Sequence, residues 1–342
     1  MQAVLKAHRA AGFSVGEVPE PEPGAGEVLV KVAAASVCGT DVHLYDWNPW
    51  AQARVEPPRV VGHEVCGEVI AWGDGVRSPA IGTRVAVESH IVCGHCEECR
   101  RGDFHVCENT RILGVHVDGA FASLLALPAA NVYPVGPTVA PAVAAAMEPF
   151  GNAVHACSYG DVEGRNVVVF GCGPLGCASI AVARVLGADR VIAVDRNDYR
   201  LELAERMGAS AVVRAGSGPV DREVIAAAGG DIDCALEMSG SSIAVASATR
   251  IVRPGGWISL LGIGDEPDVI DLSNDVVMKG LSLFGVVGRK LPQTWERTTA
   301  YVRDGVIDVA ALITHSFALD QIDAAIELMK SGRCGKVTLA PA

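Results

Sequence analysis

Four cysteines between residues 93 and 107 are the most distinctive chemical feature of the chain. Cys93, Cys96 and Cys99 occur at every third position, and Cys107 follows eight positions later. Four thiolates this close together can surround a soft divalent ion tetrahedrally, and Zn²⁺ fits best. Disulfides are the alternative, but cysteines separated by two residues rarely bridge well. Because four sulfur ligands leave no position for a substrate, we predict a structural zinc in a lobe at about 90–110, with catalysis elsewhere.

A second set of metal-binding residue types lies earlier in the chain. Cys38 follows the apolar Val37, and His63 and Glu64 follow Gly62. Each segment comes after a short apolar run, so we expect these side chains at strand ends and turns. A Lewis acid held there would lower the pKa of a bound hydroxyl group and favour loss of hydride. Taken singly, Cys38 could be an ordinary buried thiol and His63 a core histidine, but together they predict a catalytic metal site.

A glycine pattern indicates where a hydride acceptor binds. Gly171, Gly173 and Gly176 follow an apolar run at 167–170 and open a helical segment. In a dinucleotide site the first glycine permits the tight turn, the second lets the backbone approach the pyrophosphate, and the third allows close helix packing. The helix N-terminus then offers free N–H groups to the phosphates. The pattern alone is weak, but its place between a strand and a helix predicts a nucleotide site.

Asp195, 19 residues after Gly176, bears on which dinucleotide binds. Its carboxylate can accept hydrogen bonds from both ribose hydroxyl groups of NAD and would repel the additional phosphate of NADP. Arg196 leaves NADP open, because an arginine can bind that phosphate. A glycine turn with a capping aspartate and no cofactor is the structural alternative. We predict NAD.

Composition limits the class of protein. The 342 residues suggest two domains, and 50% are hydrophobic. The formal net charge of −12 argues against a nucleic-acid partner, because the chain would repel phosphate. We see no apolar run long enough to cross a membrane and no signal-peptide pattern at the beginning. Eleven cysteines without an export signal then favour a reducing compartment, so we expect a soluble cytoplasmic enzyme.

The pattern of apolar residues changes near residue 166. Before it, alternating valines at 28–32 and short runs at 65–70 and 84–87 predict a small β-rich barrel or sandwich. Helical spacing first becomes clear at 141–159. After it, strands and helices alternate, which predicts a parallel α/β sheet. The predicted strands of this sheet lie at 167–170, 191–194, 211–213, 234–237 and 257–261.

The run Gly62-His-Glu-Val-Cys-Gly67, continuing to Gly73 and Val76, resembles the signature of zinc-containing medium-chain alcohol dehydrogenases. The glycine turn and the four-cysteine lobe occur in the expected order, so the resemblance covers essentially the whole chain. It implies an α/β protein with a GroES-like, β-rich catalytic domain and a Rossmann domain with a doubly wound parallel sheet. The implied parts are residues 1–150 (catalytic, with the zinc lobe), 151–290 (NAD-binding) and 291–342 (return to the catalytic domain). A homotetramer is also implied.

Further runs are similar to the threonine dehydrogenase branch of this family. They are Cys38–Trp47, Glu148–His155 with the sequence Glu-Pro-Phe-Gly-Asn-Ala-Val-His, Glu237–Gly240 and Ile313–His315. This similarity implies oxidation of the secondary hydroxyl of L-threonine to 2-amino-3-oxobutanoate, with hydride transfer to NAD. The alternatives are the same chemistry on a polyol, a vicinal diol or another β-hydroxy amino acid, and, less favoured, a non-catalytic NAD- and zinc-binding protein.

The resemblance also assigns individual residues. Cys38, His63 and Glu64 would surround the catalytic zinc, which with the structural zinc gives two ions per chain. Glu148 would either join this metal or tune its water and the proton path, and Thr40 and His43 would form a proton relay. The implied cofactor contacts are Gly171, Gly173, Leu175, Gly176, Asp195, Arg200, Leu261, Gly262, Ile263, Val286 and Val287. A surface position for His43 and a helix-surface salt bridge for Arg200 are the alternatives, and His90 could either select substrate or belong to the framework.

Overall fold

The computed structural model describes residues 1–216, 220–264 and 267–341. Its contacts divide the chain into two compact units. Unit 1 comprises Met1–Pro149, Lys290–Asp304 and Ile313–Ala342, and unit 2 comprises Phe150–Arg289 and Gly305–Leu312. Across the described ranges, we find no helix with the length and apolar character needed to span a membrane.

Unit 1 is rich in β-structure. Its strands are β1 (Gln2–Lys6), β2 (Ser14–Glu17), β3 (Glu27–Val37), β4 (Arg59–Val60), β5 (Glu64–Trp72), β6 (Arg84–Val87), β7 (His90–Ile91), β8 (Arg111–Ile112), β9 (Leu124–Pro128), β10 (Val132–Pro134) and, further along the chain, β17 (Ile313–Ala318) and β18 (Lys336–Ala340). A seven-stranded sheet has the order β10-β6-β5-β3-β18-β17, with β9 also paired to β3. A three-stranded sheet, β2-β1-β4, and the pair β7-β8 complete this β-structure.

The long strand β3 organises the large sheet of unit 1. Val28, Val30 and Val32 are buried, whereas Lys31 between them is exposed, as expected when successive side chains point to opposite faces. The three valines join one apolar core with residues of β5, β6 and β9. Next to β3 in the sheet is β18, the final strand of the chain, and the two run antiparallel.

Among the described residues, seven α-helices belong wholly or partly to unit 1. They are α1 (Gly39–Asp46), α2 (Pro49–Gln52), α3 (Glu97–Arg101), α4 (Pro141–Ala145), α5 (Met147–Ala156), α10 (Gln293–Arg303) and α11 (Ile322–Ser331). Helical spacing first became clear in the sequence at 141–159, so α1, α2 and α3, which lie before it, were not predicted, and α1 is the longest of the three. Its stability depends on features that apolar spacing does not reveal. The Asp41 side chain accepts a hydrogen bond from the backbone of Cys38, and Leu44 is fully buried in a core shared with α11.

Unit 2 alternates strands and helices. It contains β11 (Asn166–Phe170), α6 (Pro174–Val185), β12 (Arg190–Asp195), α7 (Asp198–Arg206), β13 (Ala211–Arg214), α8 (Asp221–Ala228), β14 (Ile232–Glu237), α9 (Ser242–Ile251), β15 (Val252–Leu260) and β16 (Ser282–Gly285). The strands form one parallel sheet in the order β13-β12-β11-β14-β15-β16. This is the doubly wound order of the Rossmann fold, and the strand order reverses between β11 and β14.

The predicted α/β class is therefore confirmed, with two differences in detail. β15 begins at Val252 rather than at 257, and β16 was not predicted. The strand β16 has only four residues, none of them buried, so its apolar pattern is weak. The sheet is otherwise strongly apolar, because Val168, Ile192, Ala235 and Ile258 on four neighbouring strands are all completely buried.

Candidate functional site

The four cysteines of the lobe converge on one point. Their sulfur atoms all lie within 4.8 Å of one another. The Cys107 sulfur is 3.6 Å from that of Cys93 and 3.8 Å from that of Cys96. Four sulfurs placed tetrahedrally at ~2.3 Å from a zinc ion would be about 3.8 Å apart, whereas a disulfide needs about 2.05 Å. All four cysteines are free, so their arrangement fits a closed zinc site.

Short elements hold these sulfurs in place. Cys96 precedes α3, Cys99 lies within it, and Gly102 ends it in the left-handed conformation with φ 84°. Backbone N–H groups also face the sulfurs. The N–H of Cys93 donates to Cys107, and that of Cys96 donates to Cys93, each at 3.4 Å. Donors of this kind favour the thiolate form that a metal requires.

The second set, in unit 1, is also brought together. Cys38 directly follows β3, His63 lies in the turn before β5, and Glu64 is the first residue of β5. Their ligand atoms lie within 4.8 Å of one another. His63 and Glu64 are buried, and Cys38 is partly exposed. One sulfur, one nitrogen and one carboxylate oxygen are ligand types that zinc accepts, and three protein ligands are typical of a catalytic zinc with an open position.

The surroundings of His63 favour a cation. Asp41 is completely buried, and burial raises its pKa to about 6. Its Oδ1 lies 3.9 Å from Nδ1 of His63, and neither atom has a hydrogen-bond partner among the described residues. Although burial alone would lower the pKa of His63, the neighbouring Cys38 and Asp41 side chains raise it to about 10. The negative charges that raise the pKa of His63 would also stabilise a metal ion bound by Cys38, His63 and Glu64. These residues therefore fit the predicted site.

Glu64 takes part in a buried ion pair that sequence analysis did not find. Nζ of Lys336 lies 2.6 Å from Oε1 and 2.5 Å from Oε2 of Glu64, and it also donates to the carbonyl of Val37. The Ser36 hydroxyl donates a short hydrogen bond to the same carboxylate. Burial alone would lower the pKa of Lys336, but Glu64, Cys38 and Glu148 together outweigh burial and raise it, so the amine stays charged.

The predicted relay residues both lie on α1. The Thr40 hydroxyl is 3.7 Å from the Cys38 sulfur, and His43 is exposed one helical turn later. Asn48 fixes the imidazole of His43, because its amide nitrogen lies 2.8 Å from Nδ1. The Asn48 oxygen accepts from the N–H of Ala51, so the amide can present only its nitrogen to the ring.

Glu148, in the first turn of α5, is buried near the same cluster. Its Oε1 accepts a 2.5 Å hydrogen bond from the Ser89 hydroxyl, and its charge contributes to the raised pKa of His63. His90 follows Ser89, and its backbone donates to the buried Glu88. Glu88 also accepts a 2.7 Å hydrogen bond from the indole of Trp295, which stacks on Tyr133.

In unit 2, the three glycines of the turn meet three different steric demands. Gly171 has φ 87°, and a Cβ there would meet Ser239 at 2.7 Å. A Cβ on Gly176 would lie 1.8 Å from the carbonyl oxygen of Gly171. A Cβ on Gly173, by contrast, would meet nothing within 4 Å. Gly173 therefore faces open space at the N-terminus of α6, where a phosphate would find free N–H groups.

Asp195 ends β12, and its carboxylate holds the glycine turn. Oδ2 accepts a 2.7 Å hydrogen bond from the N–H of Cys172, and Oδ1 accepts one from the N–H of Asn197 at 2.9 Å. Nη1 of Arg200 lies 4.0 Å from Oδ2. Arg200 is therefore close enough to contact a ligand at Asp195, although this spacing equally describes a salt bridge.

The remaining predicted cofactor residues lie at or beyond strand ends. Leu175 is partly exposed in the first turn of α6, Leu261-Gly262-Ile263 follow β15, and Val286-Val287 follow β16. The side chain of Ile263 is 87% exposed, so it is available to a ligand. The carboxyl ends of parallel strands share one edge of a sheet, so these segments lie at the edge that carries the glycine turn and Asp195.

Glu237, at the end of β14, supports this edge and was not recognised as doing so. Its buried carboxylate accepts hydrogen bonds from the backbone N–H groups of Ser239 and Gly240. A Cβ on Gly262 would meet its Oε2 at 2.6 Å. Burial raises the pKa of Glu237, and the donated hydrogen bonds oppose that shift.

No spacing rule could have identified Asp41, Lys336 or Glu237, because their partners are defined only by the folded chain.

Comparison with known proteins agrees with this geometry. Residues 24–137 match the alcohol dehydrogenase GroES-like domain, and residues 174–303 match the zinc-binding dehydrogenase family. The chain is 44% identical to the L-threonine 3-dehydrogenase of Symbiobacterium thermophilum over 343 aligned positions, covering 100% of this chain and 98% of that protein.

Two of the similar solved structures align with 99% of this chain and with 99% of their own chains. One is an alcohol dehydrogenase of Escherichia coli CFT073 complexed with NADH, with TM-score 0.91 and 32% identity. The other is a putative zinc-binding dehydrogenase of Sinorhizobium meliloti 1021 bound to NADP, with TM-score 0.92 and 30% identity.

A GroES-like unit with two metal-ligand clusters and a Rossmann unit with a glycine turn define the class as zinc-dependent dehydrogenases. Within that class, the chain belongs to the zinc-binding alcohol dehydrogenase family, of the medium-chain type.

Cys107→Ser tests the closed cluster. We expect the zinc content to fall from two ions per chain to one and the thermal midpoint to fall by about 10 °C, because a structural zinc contributes directly to folding. Metal analysis and calorimetry measure both. Cys334→Ser, at a buried cysteine outside both clusters, should retain two ions. Two ions and an unchanged midpoint in Cys107→Ser would contradict the assignment.

Lys336→Met tests the buried ion pair. With no metal at the Cys38, His63 and Glu64 cluster, leaving the Glu64 carboxylate buried without its cation should reduce the free energy of unfolding by about 3–5 kcal/mol, measured by urea denaturation. Under the same condition the double variant Glu64→Gln/Lys336→Met should recover part of that loss, because no unpaired charge remains. Equal stability of the wild type and the single variant would show that the pair is not important.

Asp195→Asn tests the cofactor edge. We expect its Kd for NADH to rise about tenfold, because a hydrogen bond to a charged acceptor is worth about 1.5–3 kcal/mol and tenfold corresponds to about 1.4. Its Kd for NADPH should change less, since the repelling charge is also lost. Fluorescence titration measures both. Asp198→Asn, at an exposed residue, is the control, and equal effects on both cofactors would argue against contact with the ribose.

Proposed function

We propose that this chain oxidises the secondary hydroxyl group of L-threonine to a ketone, giving 2-amino-3-oxobutanoate, with transfer of hydride to NAD. The observation that carries this proposal is the presence, in one chain, of the Cys38, His63 and Glu64 cluster and of the glycine turn with Asp195. The 44% identity to an L-threonine 3-dehydrogenase over the full length supports the choice of substrate.

When bound, zinc at the Cys38, His63 and Glu64 cluster supplies a Lewis acid for a hydroxyl oxygen, and NAD at the glycine turn supplies an acceptor for hydride. Cys38, His63 and Glu64 would hold the catalytic ion, and the four lobe cysteines would hold the structural one. Asp195 would favour NAD, since a carboxylate at the end of β12 would repel an additional phosphate on the ribose. One similar solved structure contains NADH and another NADP, so both cofactors belong in the assay.

The protein's own residues would move the proton that leaves the substrate hydroxyl. The Thr40 hydroxyl lies beside Cys38 and can accept that proton while it gives up its own. His43, exposed one turn along the same helix, can deliver a proton to solvent. Asn48 keeps the imidazole in one orientation by donating to Nδ1, which leaves Nε2 for exchange.

Several buried groups would keep the metal ligands in place. Asp41 faces His63, and Lys336 and Ser36 hold both oxygens of Glu64. Ser89 orients Glu148, which would act on the proton path or join the metal. Partners that orient ligands in this way are a common feature of metal sites, and removing them typically weakens metal affinity about 10–100-fold.

The wider biological setting is also proposed. A net charge of −12 favours a small-molecule substrate over nucleic acid. We propose a homotetramer that works in the cytoplasm, where eleven cysteines outside disulfides would stay reduced. Size-exclusion chromatography with light scattering would test the assembly.

Steady-state assays of NADH formation test the substrate. We expect kcat/KM for L-threonine with NAD to exceed the values for 2,3-butanediol and sorbitol by about tenfold or more, because polar groups shaped for one substrate are left unsatisfied by another. NADP should support less turnover. Turnover of sorbitol or butanediol without turnover of threonine would instead favour the same chemistry on another alcohol.

Cys38→Ser tests whether the Cys38, His63 and Glu64 cluster is catalytic. Loss of Lewis-acid stabilisation worth several kcal/mol should reduce kcat about a thousandfold, with one zinc ion retained per chain. Full turnover by this variant in metal-free buffer would refute the mechanism. A wild-type chain with one zinc ion and no turnover would favour the non-catalytic alternative.

A further inference from the structure

Asn152, His155 and Tyr159 form hydrogen bonds with the end of β16 and the loop that follows it. The first two belong to the Pro-Phe-Gly-Asn-Ala-Val-His run, and Tyr159 lies four residues after it. The Asn152 oxygen accepts a 3.1 Å hydrogen bond from Nη1 of Arg289. Nδ1 of His155 lies 2.8 Å from the carbonyl oxygen of Gly288, and the Tyr159 hydroxyl lies 3.4 Å from that of Gly285. Because a carbonyl oxygen can only accept, Nδ1 of His155 carries the proton.

These bonds have a regular origin on the helix. Asn152 and His155 are three residues apart on α5, so they share one face, and Tyr159 follows four residues later, just beyond the end of the helix. His155 is completely buried and stacks on Tyr159, which stacks in turn on Phe284 of β16. One side of α5 therefore contacts the loop at Gly288 and Arg289, and Tyr159 just beyond the helix contacts Gly285 at the end of β16.

The loop after β16 contains the Val286-Val287 segment. On its other side, the N–H of Val286 donates to the carbonyl of Leu260 in β15 at 2.8 Å. Val287 remains 49% exposed, so the segment is fixed by its backbone and still offers a side chain to a ligand. Its position is set jointly by β15 and by α5.

The order of the strands shows which part of a dinucleotide reaches this loop. Asp195 ends β12 and would hold the adenosine ribose, and the glycine turn follows β11 and would hold the pyrophosphate. In the sheet order β12-β11-β14-β15-β16, the other half of the molecule must extend beyond β11. The nicotinamide half of a bound dinucleotide would therefore lie toward the segments that follow β14, β15 and β16.

We propose that Asn152 and His155, with the help of Tyr159, are positioning residues that fix the Val286-Val287 segment against the nicotinamide half of the cofactor. The proposal rests on the proposed function, because it needs a dinucleotide at this edge. It gives the Asn152 and His155 positions a role distinct from the metal chemistry of Glu148 on the same helix. These side chains act through the loop and need not touch the cofactor.

The test compares NADH with ADP-ribose, which lacks the nicotinamide ring. In His155→Phe the ring can still stack on Tyr159, but the carbonyl of Gly288 loses its donor. With the zinc-loaded protein, we expect Kd for NADH to rise about tenfold, as for a half-buried carbonyl left without its donor. Kd for ADP-ribose should stay within about twofold. His155→Asn, whose amide can still donate, should bring Kd for NADH back to within about threefold of the wild type.

A second pair of variants keeps the test valid if His155→Phe does not fold. Asn152→Ala removes the acceptor of Arg289, whereas Asn152→Asp retains one. We expect the same selective loss of NADH affinity in Asn152→Ala and near-normal affinity in Asn152→Asp. Calorimetric titration with both ligands measures all four variants.

The outcomes separate the two proposals. Equal weakening of NADH and ADP-ribose, or no weakening of either, in the Phe and Ala variants would overturn the positioning role and leave the proposed function intact. A zinc-loaded wild type that binds neither ligand would overturn the proposed function together with this inference.

Discussion

The buried pair between Glu64 and Lys336 is the interaction on which the candidate metal site of unit 1 depends. The two residues are 272 positions apart, and Lys336 reaches Glu64 only because β18 pairs with β3 in the large sheet. Lys336 also binds the carbonyl of Val37, the residue just before Cys38. A buried carboxylate without a partner would be costly, so the geometry at Cys38 and Glu64 requires the final strand to be in place. In this way the end of the chain completes a site built from residues 38–64.

The nucleotide edge of unit 2 depends on a steric constraint. Backbone segments after β11, β14 and β15 approach so closely that Gly171, Gly176 and Gly262 leave no space for a side chain. Two carboxylates then set these segments relative to one another, the half-buried Asp195 through the N–H of Cys172 and the buried Glu237 through the N–H groups of Ser239 and Gly240. A dinucleotide would meet a surface made mainly of fixed backbone. The loop after β16 belongs to the same surface, but α5 holds it from the side.

Residues whose chemistry is local in the chain were predictable from the sequence. The thiol spacing at 93–107 predicted a compact cluster, and the sulfur atoms do converge. The glycine turn was recognised because a strand precedes it and a helix follows it. By contrast, α1 and β16 were missed. The helix α1 depends on the Asp41 cap and on packing with α11, and β16 is four residues long with no buried side chain. Tertiary contacts stabilise both elements. Neither has an apolar pattern of its own from which it could be predicted.

The sequence by itself determined which ligand types are available, the order of the two units' elements and the α/β class, because these follow from residue identity and from the spacing of apolar residues. Only the tertiary structure decided what surrounds those ligands. Asp41 beside His63, Lys336 on Glu64 and His155 on the carbonyl of Gly288 are contacts between residues 22 to 272 positions apart. Such contacts form when strands and helices pack, and burial then sets their strength by removing water from the charges. No local pattern encodes that burial, so these partners had to be read from the fold.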